Sequence, residues 1–261
     1  MSLLTSSPLP GSADCSRMTD EYLFISDCHL DTSRPEITTN LLNFIDKRAS
    51  SAQILYILGD LFEIWLGDDD PVPGFSEIID SLSHLSKTTK TYFLAGNRDF
   101  LLGDGMAKRA GFEIISEPVS LNLGGQRVVL LHGDVLCTDD HDYQAFRSQV
   151  RNPDWQSSFL AKPLLERQQI GAGLRADSIA AMLQKTVEIM DVNLTTVESW
   201  FDQHEAEVMI HGHTHRPGIH RYKQRSRTRY VLGDWNPLPS YLSWSSPVGF
   251  ELHDSRVATY P

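Results

Sequence analysis

"ILYILGD", residues 54–60, decides the fold. Five apolar residues in a row, β-branched and aromatic among them, are too few for an ordinary helix and show none of the alternation of a half-exposed strand. They read as a strand covered on both faces, which belongs to a layered α/β domain. A glycine and a carboxylate, Gly59 and Asp60, follow at once. The same construction recurs on both sides. "YLFIS" (22–26) precedes Asp27 and His29, and "TYFLA" (91–95) precedes Gly96, Asn97, Arg98 and Asp99. "RVVLL" (127–131) precedes His132, Gly133 and Asp134, and "EVMI" (207–210) precedes "HGHTH" (211–215).

Helical spacing fills the gaps between the early strands. Residues 37–49 place Leu41, Leu42, Ile45 and Ala49 on one face, with Thr38 or Thr39 as the expected N-cap. Residues 75–87 repeat the pattern. From about 141 to 200 apolar residues recur at helical spacing with no strand, so an inserted helical lid is expected there. Strands return in "GIHRYKQRSRTRYVLG" (218–233), with a turn at "KQRSR" (223–227), and in "SPVGFELHD" (246–254). Residues 1–20 are rich in Ser, Pro and Gly and read as a disordered extension. Residues 21–261 read as one domain.

Composition narrows the function. The net charge of -11, from 34 acidic and 23 basic residues, argues against a protein that neutralises a nucleic-acid backbone. A local metal site overrides that global charge for a small anionic substrate. Three cysteines, Cys15, Cys28 and Cys137, form no disulfide framework. The last two read as packing residues. No apolar run reaches the roughly 18 residues of a membrane span.

In open α/β sheets ligands collect beyond the carboxyl ends of the strands. Five strands therefore deliver polar groups to one rim. In extended chain Asp27 and His29 face one side and Cys28 the other, and the same holds for His211, His213 and His215. Carboxylate and imidazole donors without thiolate suit Mn²⁺, Fe or Zn²⁺. Asp60 suits a bridging position and Asn97 a neutral one. Two divalent ions against Asp27, Asp60 and a hydroxide leave residual positive charge, which favours a phosphate. Such a pair, about 3.5–4 Å apart, lowers the pKa of bound water and clamps a phosphoryl group. Arg98 is placed to stabilise the equatorial oxygens. A lone Asp-x-His or Gly-Asp is ordinarily structural; it is the ordered set of five that carries the chemistry. His84, His204, His220 and His253 read as surface residues. Arg221 to Arg229 reads as a solvated hairpin, with contact to an anionic membrane as the sharper option. Trp155, Phe159, Leu160, Leu164, Leu165 and Ile170 read as lid core, or as the lining of a pocket for acyl chains.

This motif series resembles the calcineurin-like metallophosphoesterase superfamily, with Arg98 where most members carry histidine. The longer stretches "LYILGDLFEIWLGDDD" (55–70), "GNRDFLLG" (96–103), "LLHGDVLCTDD" (130–140) and "HGHTHRP" (211–217) are similar to its branch that cleaves UDP-2,3-diacylglucosamine in lipid A biosynthesis. The resemblance implies an α/β sandwich of stacked mixed sheets flanked by helices, with an inserted helical lid. It implies two Mn²⁺ ions, one held by Asp27, His29, Asp60 and His215, the other by Asp60, Asn97, His132 and His213. It implies activated-water attack on the α-phosphate, with Asp60, Asn97, Arg98 and His213 catalytic. Asn97, Arg98, Asp140, Ser178, Lys185 and His213 would contact the substrate. The products would be UMP and 2,3-diacylglucosamine 1-phosphate. The lipid substrate implies peripheral attachment to the cytoplasmic face of the inner membrane, with no nucleic acid and no obligate protein partner. Met182 departs from the polar residue of the lid pattern. His211 lies outside the ligand pattern and is expected to support it.

Overall fold

Phe24 packs into one core while its neighbours Leu23 and Ile25 pack into another, and all three are fully buried. That two-sided burial explains the unbroken apolar runs. The computed structural model describes residues 20–72, 74–182, 185–186, 189–222 and 226–257. The expected disordered lead falls almost wholly outside the described residues, as do the turn residues 223–225 and the side chain of Met182.

Strands β1 (Tyr22–Ile25), β2 (Ile54–Ile57), β3 (Lys90–Leu94) and β4 (Glu113–Ile115) run parallel. β10 (Tyr241–Ser245) and β11 (Gly249–His253) extend the β1 edge antiparallel, giving the order β11-β10-β1-β2-β3-β4. The second sheet is ordered β5-β6-β7-β9-β8, from β5 (Val119–Leu123), β6 (Gln126–Leu130), β7 (Val208–His211), β9 (Arg227–Val231) and β8 (Gly218–Tyr222). Its central strands β6, β7 and β9 are parallel.

Three cores stack across these sheets. Between them lie Phe24, Tyr56 and Leu58 from one and Val128, Leu130, Ile210 and Tyr230 from the other. Outside the first sheet pack α1 (Pro35–Lys47), α2 (Ser76–Leu85) and α3 (Asp104–Ala110), which contribute Ile37, Leu41, Ile78, Leu82 and Met106. Outside the second sheet, Val197 and Phe201 of α7 (Leu194–Gln203) meet Val129 and Met209. The result is the expected sandwich of mixed sheets between helical layers.

Within 141–200 the described residues form α4 (His141–Val150), α5 (Pro153–Leu160), α6 (Leu164–Met182) and the start of α7, while residues 185–186 and 189–193 are turn and coil. α7 belongs to the outer layer of the second sheet. Trp155, Phe159 and Ile170 instead join the first core, whereas Leu165 remains 67% exposed. Helix α1 departs from expectation at its start. Pro35, whose ring pre-sets the helical φ, opens it after Arg34, so Thr38 and Thr39 lie inside the helix. Thr39 Oγ1 donates back to the Pro35 carbonyl at 3.0 Å.

The basic hairpin is not wholly solvated. Arg221 is exposed and Arg227 pairs with Asp202, but Arg229 is buried at 4% exposure. Cys28 and Cys137 are buried packing residues. His253 is half-buried, stacked on Tyr241 and bonded to Ser243 Oγ at 2.8 Å, so it is not a free surface group. Among the described residues no helix is long and apolar enough to cross a membrane.

Candidate metal centre

The rim at the carboxyl ends of β1, β2, β3, β6 and β7 brings together all seven expected ligands. Extended alternation is not what aims them. Asp27, His29, Asp60, His213 and His215 all have φ between 47° and 67°. Left-handed backbone is uncommon outside glycine and concentrates at functional sites, where the surrounding fold must hold it. Here the loops are tied to one another: Asp27 N donates to the Gly59 carbonyl at 3.1 Å, and His29 N to the Asp60 carbonyl at 2.9 Å. Two glycines make that approach possible. A Cβ on Gly59 would lie 2.4 Å from Gly96 N, and one on Gly96 only 2.1 Å from Asp60 Oδ1.

The donors fall into two groups. In the first, His29 Nε2 and His215 Nε2 stand 3.0 Å apart, with Asp27 Oδ1 at 3.7 Å and 3.4 Å from them. In the second, Asn97 Oδ1 lies 3.0 Å from His132 Nε2 and 2.9 Å from His213 Nδ1. Asp60 Oδ2 lies 3.7 Å from both His29 Nε2 and His132 Nε2, between the groups. Two ligands about 2.1 Å from one ion and at right angles to each other stand about 3.0 Å apart, which is the spacing of the paired imidazoles.

Electrostatics also fit a cation. Asp27 is fully buried, and among the described residues its Oδ1 has no hydrogen-bond partner. Burial would lower the affinity of His29 for a proton, but the neighbouring carboxylates of Asp27, Glu63 and Asp60 lift its pKa to about 10. Burial likewise opposes protonation of His132, and the charges of Asp60 and Asp27 carry it to about 9. Buried carboxylates thus hold positive charge on these rings, and a divalent ion would take its place. His213 goes the other way, to about 4, through burial and the nearby His132.

Surrounding groups orient the donors. His132 Nδ1 donates to the Leu58 carbonyl at 2.8 Å, which leaves Nε2 for a metal. Asp27 Oδ2 accepts from Ser26 Oγ at 2.7 Å and His213 N at 2.9 Å. Asp60 Oδ1 accepts from Arg98 N at 2.8 Å. Asp99 accepts from Leu61 N at 2.7 Å and Gly96 N at 2.8 Å, joining the loops after β2 and β3. Burial, then the charge of Asp60, push Asp99 up to about 6. His211 does not face the ligands: Nδ1 lies 2.9 Å from the Gly212 carbonyl and Nε2 accepts from Arg229.

Sequence reasoning missed Glu63, Arg175 and Tyr143. Glu63 Oε2 lies 2.9 Å from His29 Nδ1, and its other oxygen pairs with Arg175. A charge inside the apolar run "LFEIWL" was the available signal. The Tyr143 ring faces His213 with centroids 5.8 Å apart, and its hydroxyl donates to Asp134 at 2.7 Å.

The centre opens into a cleft of about 500 Å³. Asn97, Arg98, Asp140, Ser178, Lys185 and His213 all line it. Asp140 caps α4 through Tyr143 N at 3.1 Å and pairs with Lys185 Nζ at 2.7 Å. Ile64, Trp65, Phe100, Trp155, Phe159 and Leu174 give the same cleft an apolar lining.

The calcineurin-like phosphoesterase family model matches residues 21–217, which contain every expected ligand. A UDP-2,3-diacylglucosamine hydrolase of Aromatoleum aromaticum is 47% identical over 225 residues, covering 85% of this chain and 92% of its own. One of Stenotrophomonas maltophilia is 47% identical, covering 84% of this chain and 93% of its own. One of Escherichia coli is 46% identical over 217 residues, covering 82% and 90%.

Proposed function

The chain belongs to the calcineurin-like phosphoesterase family, and from that premise we propose that it hydrolyses the pyrophosphate of UDP-2,3-diacylglucosamine in lipid A biosynthesis. The observation that carries the reading is the junction of a metal-type donor set with a cleft lined by aromatic and aliphatic side chains. A lipid-linked nucleotide needs both. Water adds its oxygen to the α-phosphorus, the bond to the bridging oxygen breaks, and UMP and 2,3-diacylglucosamine 1-phosphate leave.

The donor set calls for divalent metal. We assign two Mn²⁺ ions, one to Asp27, His29, Asp60 and His215, the other to Asp60, Asn97, His132 and His213. When bound, they supply Lewis acidity toward phosphoryl oxygens and make water more acidic. The remaining work falls to the chain. Arg98, whose Nε is buried without a hydrogen-bond partner among the described residues, donates to the phosphoryl oxygens as charge builds on them. His213 is held by Tyr143 and by the Asp27 carboxylate, so its position is set before substrate arrives. Lys185, Asp140 and Ser178 bind the sugar phosphate from the α4–α6 side. Helices α4–α6 form the lid, and Trp155 and Phe159, stacked at 5.0 Å, receive acyl chain. The exposed Ile64, Leu160, Leu165 and Ile179 suit peripheral contact with the cytoplasmic face of the inner membrane.

The test is UMP release from UDP-2,3-diacylglucosamine by chelator-treated protein, before and after Mn²⁺ is restored. Release only with metal is the expected result. Hydrolysis of a simple phosphodiester without release from the lipid nucleotide would leave the metal centre standing and remove the lipid assignment.

A further inference from the structure

A second cleft, of about 390 Å³, meets the first at His29, Glu63, Arg98, Arg175 and His215. Its chemistry is different. Beyond the shared residues its walls are Asp31, Arg34, Ile179 and Asp234. Resting on the reading above, we propose that this second cleft is the uridine nucleotide subsite, with Arg34 as its phosphate anchor and Asp31 as an acceptor for ribose or uracil donors.

The substrate has two parts. Its acyl chains need apolar surface, its nucleotide needs charge and hydrogen bonds, and the bond to be broken lies between them. Two clefts of those two kinds join at the metal centre. The first has aromatic and aliphatic walls and takes the acylated sugar. The second has a single aliphatic side chain, Ile179, and would give acyl chains little to pack on. Arg34, Arg98 and Arg175 converge on it. Their mutual repulsion is visible in Arg175: burial, then the charges of Arg98 and Arg34, lower its pKa. An anion between them relieves that repulsion.

The cationic heads are already placed. Arg34 Nη2 donates to the His29 carbonyl at 2.7 Å, so its guanidinium is fixed beside a metal ligand with further N–H groups to offer. Glu63 is engaged by His29, by Arg175 and, at 3.7 Å, by Arg34 Nη2, and Asp234 by Arg256 Nη1 at 2.6 Å. Asp31 spends one oxygen on Ser33 N at 2.7 Å and keeps the other. The acceptor left beside the arginines is therefore suited to a hydroxyl or an imide N–H.

The experiment is equilibrium binding to the full, Mn²⁺-loaded chain, with UMP and detergent-dispersed 2,3-diacylglucosamine 1-phosphate as separate probes. Arg34→Gln removes a charged donor and should weaken UMP by about tenfold or more, with the lipid product held within about twofold. Asp31→Asn should weaken UMP by about threefold or more and spare the lipid. Mn²⁺ titration of both variants reads out structural damage at His29. UMP affinity unchanged in both variants, loss of the lipid product instead of UMP, or a matching fall in Mn²⁺ affinity overturns the subsite. Turnover of the lipid nucleotide by a wild-type chain that does not bind UMP also overturns the subsite and spares the reading beneath it. A wild-type chain that neither cleaves the lipid nucleotide nor binds either product overturns both.

Discussion

Arg229 donates from Nη1 to His211 Nε2 across 3.0 Å, joining the adjacent strands β9 and β7 behind the metal centre. Neither residue lines either cleft. The contact keeps His211 neutral, with Nδ1 free to donate to the Gly212 carbonyl, and so braces the loop that carries His213 and His215. Burial and the Arg229 charge hold His211 down at about 3. Replacing Arg229 with Met strands a buried acceptor at a cost of about 1–3 kcal/mol. We expect a lower melting temperature and weaker Mn²⁺ binding, both partly recovered in Arg229→Lys. A melt and a metal titration that match wild type would show the contact to be idle.

Asp60 stands between the two donor groups, 3.7 Å from an imidazole of each. Asp60→Ala should reduce Mn²⁺-dependent turnover to background while the chain still melts cooperatively. Calorimetric counting of bound Mn²⁺ should fall below two. A variant that keeps two ions and its activity would contradict the bridging role.

Gly96→Ala tests the close approach of two loops. The new methyl would lie 2.1 Å from Asp60 Oδ1 and 2.3 Å from Asp60 N, which is backbone and not free to yield. Asp60 must move, and misplacement of about 1 Å at a reacting centre costs on the order of a hundredfold in rate. Steady-state kinetics at saturating Mn²⁺ checks this, and near-normal turnover would mean the loops part more easily than the packing implies.

Asp134 sets an acid limit on stability. Burial would raise its pKa, but the charges of His132 and Arg147 outweigh it and hold the carboxyl well below the ordinary range. Arg147 Nε donates to it at 2.7 Å. A folded-state pKa below the unfolded value, about 3.9, means the contribution is present above that pH and is lost as pH falls. Asp134→Asn should therefore be less stable at neutral pH, by about 1–3 kcal/mol, since Arg147 keeps Glu117 as a partner. It should also lose less on acidification than wild type. Denaturant midpoints between pH 3 and pH 7 would reveal either outcome.

Trp155 stacks on Phe159 at 5.0 Å and lies 6.3 Å from Phe100 in the apolar wall. Removing the ring forfeits about 1.5–3 kcal/mol of apolar contact, or roughly a tenfold or larger rise in KM for the acylated substrate. A short, non-acylated phosphodiester should be hydrolysed at the wild-type rate. Equal loss on both substrates would place Trp155 in the support of the metal centre.

The residues most legible in the sequence are those governed by local pattern. "ILYILGD" (54–60) shows a buried strand, a turn and a carboxylate because strand burial and glycine conformation are local properties. β4, β5 and β10 were not legible. The first is three residues long, and β5, with its "VSLNL", is only half-covered at the edge of its sheet. In β10, "YLSWS" buries Ser243, whose hydroxyl is satisfied by His253 of the neighbouring strand. Composition alone does not announce such a partner.

The same division runs through the site. Sequence by itself determined the donor types, their order along the chain and their place after successive strands. Those follow from residue chemistry and from the rule that parallel strands present their carboxyl ends to one rim. Tertiary structure alone decided which donors stand beside one another, through left-handed turns at Asp27, His29, Asp60, His213 and His215 that extended alternation would not suggest. It alone brought Glu63 to His29 and Arg229 to His211, across 34 and 18 residues of chain. Strained backbone and buried charge pairs are held by the packing of distant segments, and that packing exists only once the sheets have stacked.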